Sequence, residues 1–196
     1  MLELRLGSAW SEGWYRYARA LPSPNFGARP ASANIDLMVI HSISLPPGEF
    51  GNDNVQRLFT NQLDWDAHPY FRSIRNLQVS AHFFISRTGQ LWQFVSCESR
   101  AWHAGQSAYF GREDCNNYSI GIELEGVEGG LFAPPQYETL SALCAAILSK
   151  YPVTHFAGHE HVAVGRKTDP GPGFDWQFFK RCLGLGSQSL PVGVLK

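Results

Sequence analysis

The sequence lacks the features by which several large classes of protein are recognised. It has no run of charges of one sign, and its 16 basic and 17 acidic residues leave a net charge of −1. Because a nucleic-acid-binding domain usually carries a basic stripe, we expect no nucleic acid as a partner. No apolar run approaches the roughly 18 residues of a membrane-spanning helix, so we expect no membrane partner either.

The N-terminal stretch has no apolar segment of the kind that a secretory signal peptide needs. Charges at Glu3, Arg5, Glu12, Arg16 and Arg19 interrupt it. A signal peptide carries an apolar region of about 7–15 residues. The sequence therefore predicts a cytoplasmic protein.

Cysteine is scarce, and its four copies form no metal-binding or redox motif. Cys97, Cys115, Cys144 and Cys182 lie far apart and include no C-x-x-C pair. In a reducing compartment they are expected to be free thiols, most of them in the core. A chain of 196 residues can build a core without disulfide bonds. We expect one domain over 1–196, with its core at 12–180 and a loose tail over 184–196.

Strand and helix patterns are interleaved along the chain. Apolar or alternating runs predict strands over 36–44, 119–126 and 154–160 and a hairpin over 80–97. Stripes with helical spacing predict helices over 9–21, 53–63, 136–150 and 175–183. This order predicts an α/β (α+β) domain with a central mixed β-sheet flanked by helices.

Two histidine positions are candidates for a site. His41 ends a predicted buried strand where the chain enters a Gly/Pro loop, and sites commonly form at such strand ends. His159 follows Gly158 and precedes His161 by two residues, so in an extended segment both imidazoles would point the same way. Each of these histidines also has an ordinary structural interpretation, and the spacing alone does not choose between His159 and His161.

A carboxylate and a lysine follow in a stiff turn. Asp169 precedes Pro170, which biases it toward an extended conformation, and Lys167 lies two residues before it. A solvated Lys–Asp turn is the alternative. Two histidines and one carboxylate form a common zinc-ligand set that leaves a position open for water. Lys167 could then stabilise a developing oxyanion.

A strand with two glutamates offers a general base and a competing interpretation. Glu123 lies between apolar neighbours, and burial could raise its pKa into a useful range. Glu125 shares its face of the strand, and paired carboxylates are typical of glycoside hydrolases. Adjacent carboxylates on one face would repel each other, which makes this alternative the weaker one. Trp102 and His103, before a glycine, indicate a substrate rim, unless Trp102 merely packs on the sheet.

Five motifs in one order identify a family resemblance. VIHSISLPPGEFG, VSAHFFISRTGQLWQFV, RAWHAG, NNYSIGIELEG and GRKTDPGPGFDW together resemble the zinc-dependent N-acetylmuramoyl-L-alanine amidases of the type-2 family, over residues 12–180. The resemblance implies the fold shared with peptidoglycan recognition proteins, a Zn²⁺ cofactor and a small muropeptide substrate. It implies cleavage of the amide between the lactyl group of (1,6-anhydro-)N-acetylmuramic acid and L-alanine, in cell-wall recycling.

The resemblance also implies residue roles. The zinc ligands fall on His41, His159 and Asp169, and the catalytic residues on Glu123 and Lys167.

The chain departs from the family pattern at three positions expected to touch substrate. Ser42 stands where a close relative has Asn, and Gln78 and Asp114 stand where it has arginines associated with the acidic groups of the peptide. Arg75 and Arg112 are near in sequence and could substitute. With Trp102 and His103, these three positions complete the predicted substrate contacts. A non-catalytic muropeptide-binding protein on the same fold is the alternative function, and we expect a monomer.

Overall fold

Strands and helices alternate through residues 9–191 and 193, which are the residues that the computed structural model describes. The strands are β1 (Trp10–Ser11), β2 (Trp14–Tyr15), β3 (Arg19–Ala20), β4 (Phe26–Ala28), β5 (Leu37–Ile43), β6 (Phe83–Ile85), β7 (Leu91–Gln93), β8 (Ser99–Ala101), β9 (Ala108–Tyr109), β10 (Arg112–Glu113), β11 (Ser119–Glu125) and β12 (His155–Gly158). The helices are α1 (Asn54–Phe59), α2 (Pro69–Ser73), α3 (Pro134–Leu148), α4 (His159–Val162) and α5 (Trp176–Leu183), with 3-10 turns at Cys115–Asn117 and Ser187–Ser189.

The main sheet has six strands in the order β12-β5-β11-β6-β7-β3. Its first four strands are parallel, β7 is antiparallel to β6, and β3 is parallel to β7. β5 and β11 lie inside the sheet and are buried along almost their whole length, as expected for parallel strands covered on both faces. The predicted central mixed sheet flanked by helices is therefore confirmed.

One face of the sheet carries the main core. Met38, Ile40 and Ile122 pack there with the apolar side of α3, including Leu140 and Leu143, and all five are at most 1% exposed. Because side chains alternate along a strand, their neighbours His41 and Glu123 point to the opposite face. The packing of the core therefore determines which side chains line the other side of the sheet.

Most predicted elements are present, with shifted ends. The hairpin forms by pairing of β6 and β7. α3 begins two residues earlier than predicted, at Pro134, since proline suits the first helical turn, where its missing N–H leaves no hydrogen bond unmade. All four cysteines are free, with Cys97, Cys115 and Cys144 buried and Cys182 exposed.

The predicted helix over 9–21 is wrong. The chain forms β1 and β2 instead, joined by a tight turn at Glu12 and Gly13, whose φ angles are 48° and 78°. Gly13 lies so close to the segment at Ser96 that a Cβ there would be 2.2 Å from its Oγ. A left-handed turn at glycine ends any helix and favours a hairpin, and this local signal overrides the apolar spacing.

The segment after Gly184 is more ordered than the loose tail predicted from sequence. It forms the 3-10 turn at Ser187–Ser189, and Leu190 is only 4% exposed in the main core. Residue 192 and residues 194–196 lie outside the described part of the chain. Among the described residues, no helix combines the length and apolar character that a membrane span requires.

Candidate metal centre and active site

The candidate site is assembled at the carboxyl ends of three neighbouring parallel strands. In the register of the sheet, Glu123 on β11 lies opposite His41 on β5. On the other side of β5, Gly158 is opposite Ile40, so His159, the next residue, comes level with His41. Ligands of open α/β sheets commonly bind at this edge, where parallel strands end.

Three side chains converge there with the spacing of metal ligands. His41 Nδ1 lies 3.0 Å from His159 Nδ1 and 3.3 Å from Asp169 Oδ2, and His159 Nδ1 lies 3.2 Å from Asp169 Oδ1. Ligand atoms in a tetrahedral zinc site with bonds near 2.0–2.1 Å are separated by about 3.3–3.4 Å. The two imidazoles and the carboxylate of the described residues therefore fit a zinc-sized ion.

The contacts behind these side chains orient them. His159 Nε2 lies 3.2 Å from the Ala104 carbonyl oxygen, to which it donates, so its Nδ1 lone pair faces the site. Asp169 Oδ2 accepts from the Ser42 backbone N–H at 3.4 Å. Glu160 N–H donates to the Asp169 carbonyl oxygen at 2.9 Å, which ties the turn of Asp169 to α4.

Burial and mutual charge shift the pKa values of the site. Burial, followed by the neighbouring His159, lowers the pKa of His41 to about 4, so its ring is neutral and able to bind a metal. Burial alone would raise the pKa of Asp169, but the neighbouring imidazoles of His159 and His41 outweigh burial and hold that pKa well below its usual range. A neutral His41 and an ionised Asp169 are the protonation states in which these two residues can bind a metal ion.

Glu123 has a different environment from that of Asp169. Burial and the charge of Asp169 raise its pKa well above the usual range, and Lys167 opposes this shift. Glu123 Oε1 lies 3.9 Å from His41 Nδ1, while Oε2 is buried with no hydrogen-bond partner among the described residues. A carboxyl group with a raised pKa and a free oxygen at the metal site suits proton transfer.

A cavity of about 290 Å³ opens onto these groups. Glu123, His159, Asp169, Lys167 and Ser42 line its polar side. Its other side is apolar and is formed by Ile43, Leu45, Leu58, Phe59, Tyr70, Ile74, Leu77, Val79 and Trp102. The cavity therefore offers a polar floor for a reacting group and an apolar wall for the rest of a ligand.

The structure brings together eight of the ten predicted site residues. The three candidate ligands, Glu123, Lys167, Ser42 and Trp102 line this cavity or its floor. His103 also borders the cavity, but it is buried at 8% exposure with its Nδ1 atom 2.9 Å from His41 Nε2. It therefore supports a candidate ligand from behind.

Gln78 and Asp114 are not in this group. Gln78 is exposed and Asp114 lines a different cavity, beside Arg166. The arginines proposed to substitute for them are engaged elsewhere: Arg75 Nη2 donates to Asp66 at 2.6 Å, and Arg112 makes a two-pronged ion pair with Asp36 at 2.9 Å.

Two alternatives left open by the sequence are resolved by the backbone. His161 does not point the same way as His159, because both lie in α4 rather than in an extended strand. Its Nδ1 accepts from Gly158 N–H at 2.9 Å and its ring packs on Trp176. Glu125 lines a different cavity from that of Glu123, and its carboxylate accepts from the backbone N–H groups of Gly51 and Arg87. The carboxylate-pair glycosidase is thus not supported.

Sequence reasoning missed several supporting residues. Asn116 Oδ1 accepts from the backbone N–H groups of His103 and Ala104, and Arg166 Nη2 donates to the Ala104 carbonyl oxygen at 2.7 Å. Asn116 is 4% exposed although it is polar, but burial of this kind has no signal in a single sequence. The contribution of α1 and α2 to the apolar wall of the cavity was also missed, because it too has no signal in a single sequence.

Together, a His-His-Asp set, a buried carboxyl group and a lysine in one cavity form the arrangement expected of a metal-dependent hydrolase. Residues 31–172 match the family model described as N-acetylmuramoyl-L-alanine amidase. The chain belongs to this family, and the predicted amidase is confirmed.

Relatives with established names support this assignment. The 1,6-anhydro-N-acetylmuramyl-L-alanine amidase AmpD of Citrobacter freundii is 50% identical over 171 residues, which cover 86% of this chain and 91% of that protein. The protein of the same name from Escherichia coli K12 is 48% identical over 171 residues, covering 86% of this chain and 93% of the relative. The crystal structure of a Se-Met AmpD derivative superposes with a TM-score of 0.86 at 48% identity, covering 88% of this chain and 98% of that one.

A more distant structure confirms the predicted fold. The Drosophila peptidoglycan recognition protein SA has a TM-score of 0.52 at 17% identity, covering 76% of this chain and 79% of that one. The amidase AmiD of E. coli, solved with the substrate anhydro-N-acetylmuramic acid-L-Ala-D-γ-Glu-L-Lys, has a TM-score of 0.57 at 28% identity and covers 81% of this chain and 62% of that one.

Proposed function

We propose that this chain hydrolyses the amide between the lactyl group of 1,6-anhydro-N-acetylmuramic acid and L-alanine in muropeptides of cell-wall recycling. The chain is 50% identical, over 91% of the relative's length, to an amidase named for that substrate, and this similarity supports the reaction. The observation that carries the proposal is the convergence of His41, His159 and Asp169 on the floor of a cavity that also holds Glu123 and Lys167.

We propose that His41 Nδ1, His159 Nδ1 and an Asp169 oxygen hold Zn²⁺. When bound there, zinc supplies a Lewis acid and lowers the pKa of a coordinated water to about 7. An imidazole binds a metal ion as an uncharged nitrogen ligand, and the carboxylate balances part of the charge of the ion. The donor set contains no thiolate, which leaves it suited to catalytic rather than closed structural zinc.

Glu123 acts as the proton carrier of the reaction. Its carboxylate accepts a proton from the attacking water and returns it to the alanine nitrogen as the C–N bond breaks. The products are the lactyl carboxylic acid and the free peptide amine. The unpartnered Oε2 and the raised pKa of this residue support both halves of the transfer, since a proton must be taken and then released within one turnover.

Lys167 and the cavity wall position the substrate. The Lys167 ammonium group lies on the polar side of the cavity, where it donates to the oxygen of the lactyl carbonyl as negative charge develops. Trp102 and Ser42 contact the sugar and lactyl region. Gln78 and Asp114 stay predicted contacts of the peptide, which would then extend beyond the cavity.

Product mass spectrometry tests the proposed function. Protein is incubated with N-acetylglucosaminyl-anhydro-muramyl-tripeptide before and after treatment with a chelator. We expect free tripeptide, its loss with chelator and its return with zinc. Unchanged substrate in the zinc-loaded sample would favour the muropeptide-binding alternative, and free N-acetylglucosamine would favour a glycosidase.

A pair of neighbouring histidines provides the matched control for the metal site. His159→Ala should abolish zinc binding and turnover, whereas His161→Ala, two residues away on the same helix, should retain both. Equal loss in the two variants would contradict the proposed ligand set. The monomeric state and the cytoplasmic location remain predictions from sequence.

A further inference from the structure

His103 is a buried histidine that the proposed reaction does not use directly. Its Nδ1 lies 2.9 Å from His41 Nε2, and its Nε2 lies 3.1 Å from Ser119 Oγ. Ser119 is fully buried, and its Oγ lies 2.6 Å from the Cys115 carbonyl oxygen. A chain of three hydrogen bonds therefore leads from the back of His41 to a backbone carbonyl.

The donor in each hydrogen bond of this chain follows from the last bond, between Ser119 and Cys115. Two oxygens 2.6 Å apart need a hydrogen between them, and a carbonyl has none to give, so Ser119 donates to Cys115. The Ser119 hydroxyl has only one hydrogen, so it faces His103 Nε2 as an acceptor. His103 Nε2 must then carry the proton.

The proton on His103 Nε2 decides the state of His41. A neutral imidazole carries one N–H, so His103 Nδ1 is an acceptor, and among the described residues no carboxylate contacts His103 to favour a second proton. The neighbouring His41 Nε2 therefore donates to it. His41 in turn has its lone pair on Nδ1, the atom that faces His159 and Asp169.

We propose that His103 and Ser119 are positioning residues that hold His41 as its Nε2–H tautomer, so that Nδ1 is available as a metal ligand. This inference rests on the proposed zinc site and extends it to the residues behind His41. Sequence reasoning had placed His103 at the substrate rim.

Packing contacts hold His103 in the orientation in which it faces His41. Its ring packs closely on β11 at Gly121, where an added Cβ would come within 2.4 Å of His103 Cγ. Its backbone N–H donates to Asn116 Oδ1 at 3.1 Å. Backbone and ring are therefore both held, and the imidazole cannot turn away from His41 without breaking contacts on two sides.

The primary test reads the tautomers directly. Two-bond ¹H–¹⁵N correlation spectra of the ¹⁵N-labelled, metal-free protein distinguish Nδ1–H from Nε2–H for each histidine. We expect His41 and His103 both to be Nε2–H in the unmodified chain. A His103 that carries its proton on Nδ1 would overturn the proposal, whatever any variant does.

Three variants then separate positioning from simple packing. His103→Leu removes the acceptor, whereas His103→Asn places Oδ1 near the position of Nδ1 and retains it. We expect the zinc Kd, measured by competition with a chromophoric chelator, to rise about 10–100-fold in His103→Leu and only a few-fold in His103→Asn. Ser119→Ala should weaken binding less than His103→Leu and leave His103 as a mixture of tautomers.

The control is His155→Leu, which removes a histidine at the far end of β12, beside Thr154. It should leave the zinc Kd and the His41 tautomer unchanged. Equal zinc Kd values for His103→Leu and the unmodified chain, with His41 still Nε2–H, would refute the proposal. If His103→Leu does not fold, the His103→Asn and Ser119→Ala spectra carry the same test.

Failure of the proposed function gives a different pattern. If the unmodified chain binds zinc and shows the expected tautomers but releases no peptide from muropeptide, the reaction is wrong and the positioning role stands. If peptide is released but His103→Leu binds zinc normally, the reaction stands and the positioning role is wrong.

Discussion

Replacing Glu123 with glutamine should separate the chemistry of the site from its assembly. Glu123→Gln keeps the size of the side chain and removes the group that takes and returns the proton. Loss of a general base typically lowers the rate by 10²–10⁴-fold, or about 2.7–5.4 kcal/mol in barrier height. Glu123 Oε1 lies 3.9 Å from His41 Nδ1 and Glu123 is not one of the candidate ligands, so zinc affinity should change little.

The same substitution should also stabilise the metal-free protein at high pH. Because burial raises the pKa of Glu123, the folded state binds its proton more tightly than the unfolded chain, whose pKa is about 4.3. The stabilisation is complete below that unfolded pKa and is lost as the pH rises through the folded pKa, at about 1.4 kcal/mol per pH unit between the two. Glutamine does not titrate, so metal-free Glu123→Gln should gain stability relative to the unmodified chain as the pH rises.

The assays are turnover by product mass spectrometry, zinc affinity by chelator competition, and urea unfolding of the metal-free proteins over a pH series that rises from the unfolded pKa of about 4.3. Glu125→Gln is the matched control on the same strand and face. Its carboxylate holds the backbone N–H groups of Gly51 and Arg87, so this variant should lose about 1–3 kcal/mol of stability and retain turnover. Near-normal turnover in Glu123→Gln, or a stability difference independent of pH, would refute the reasoning.

Three further predictions follow from the described contacts. Asp169→Ala should lose both zinc binding and turnover, as measured by metal analysis and peptide release, and near-normal hydrolysis would contradict the ligand assignment. Arg29→Met should destabilise the fold by several kcal/mol in urea unfolding, because this half-buried guanidinium donates to the carbonyl oxygens of residues 97, 116, 117 and 119, and each hydrogen bond from a charged group contributes about 1.5–3 kcal/mol. The exposed pair of Arg112 should contribute at most about 1 kcal/mol. In the native protein a thiol reagent should label Cys182 and leave the three buried cysteines unlabelled, and fast labelling of a second thiol would contradict their burial.

The sequence predicted the sheet well because its strands are strongly patterned. The apolar run over 36–44 and the alternating run over 119–126 correspond to β5 and β11, within one residue at each end. The helix over 9–21 failed because one glycine in a left-handed turn reversed the chain, and apolar spacing does not register backbone conformation. Hydrophobic patterns therefore predict which segments form the core strands, whereas turns determine the secondary structure of the short segments around them.

The candidate site was likewise predictable from sequence only in part. His41 and Glu123 could be proposed from strand ends and neighbours, but only the family resemblance selected His159 over His161. The structure supplies the physical reason: a helix starts at His159, so the two side chains diverge. The positions of Gln78 and Asp114 away from the cavity could not be predicted, because distance from a cavity depends on how whole loops fold.

The geometry of the site is a consequence of the core on the other face of the sheet. Ile40 and Ile122 must face α3 to be buried, so the alternation of the strands turns His41 and Glu123 toward the cavity. A slip of one residue in either strand would expose the apolar set and bury the polar one, which is strongly disfavoured. Apolar packing on one face therefore determines the register on which the alignment of His159, His41 and Glu123 depends. A substitution such as Ile122→Ala, on the opposite face of the sheet from the candidate ligands, should lower stability by about 2–5 kcal/mol in urea unfolding while leaving the zinc Kd of the folded protein unchanged.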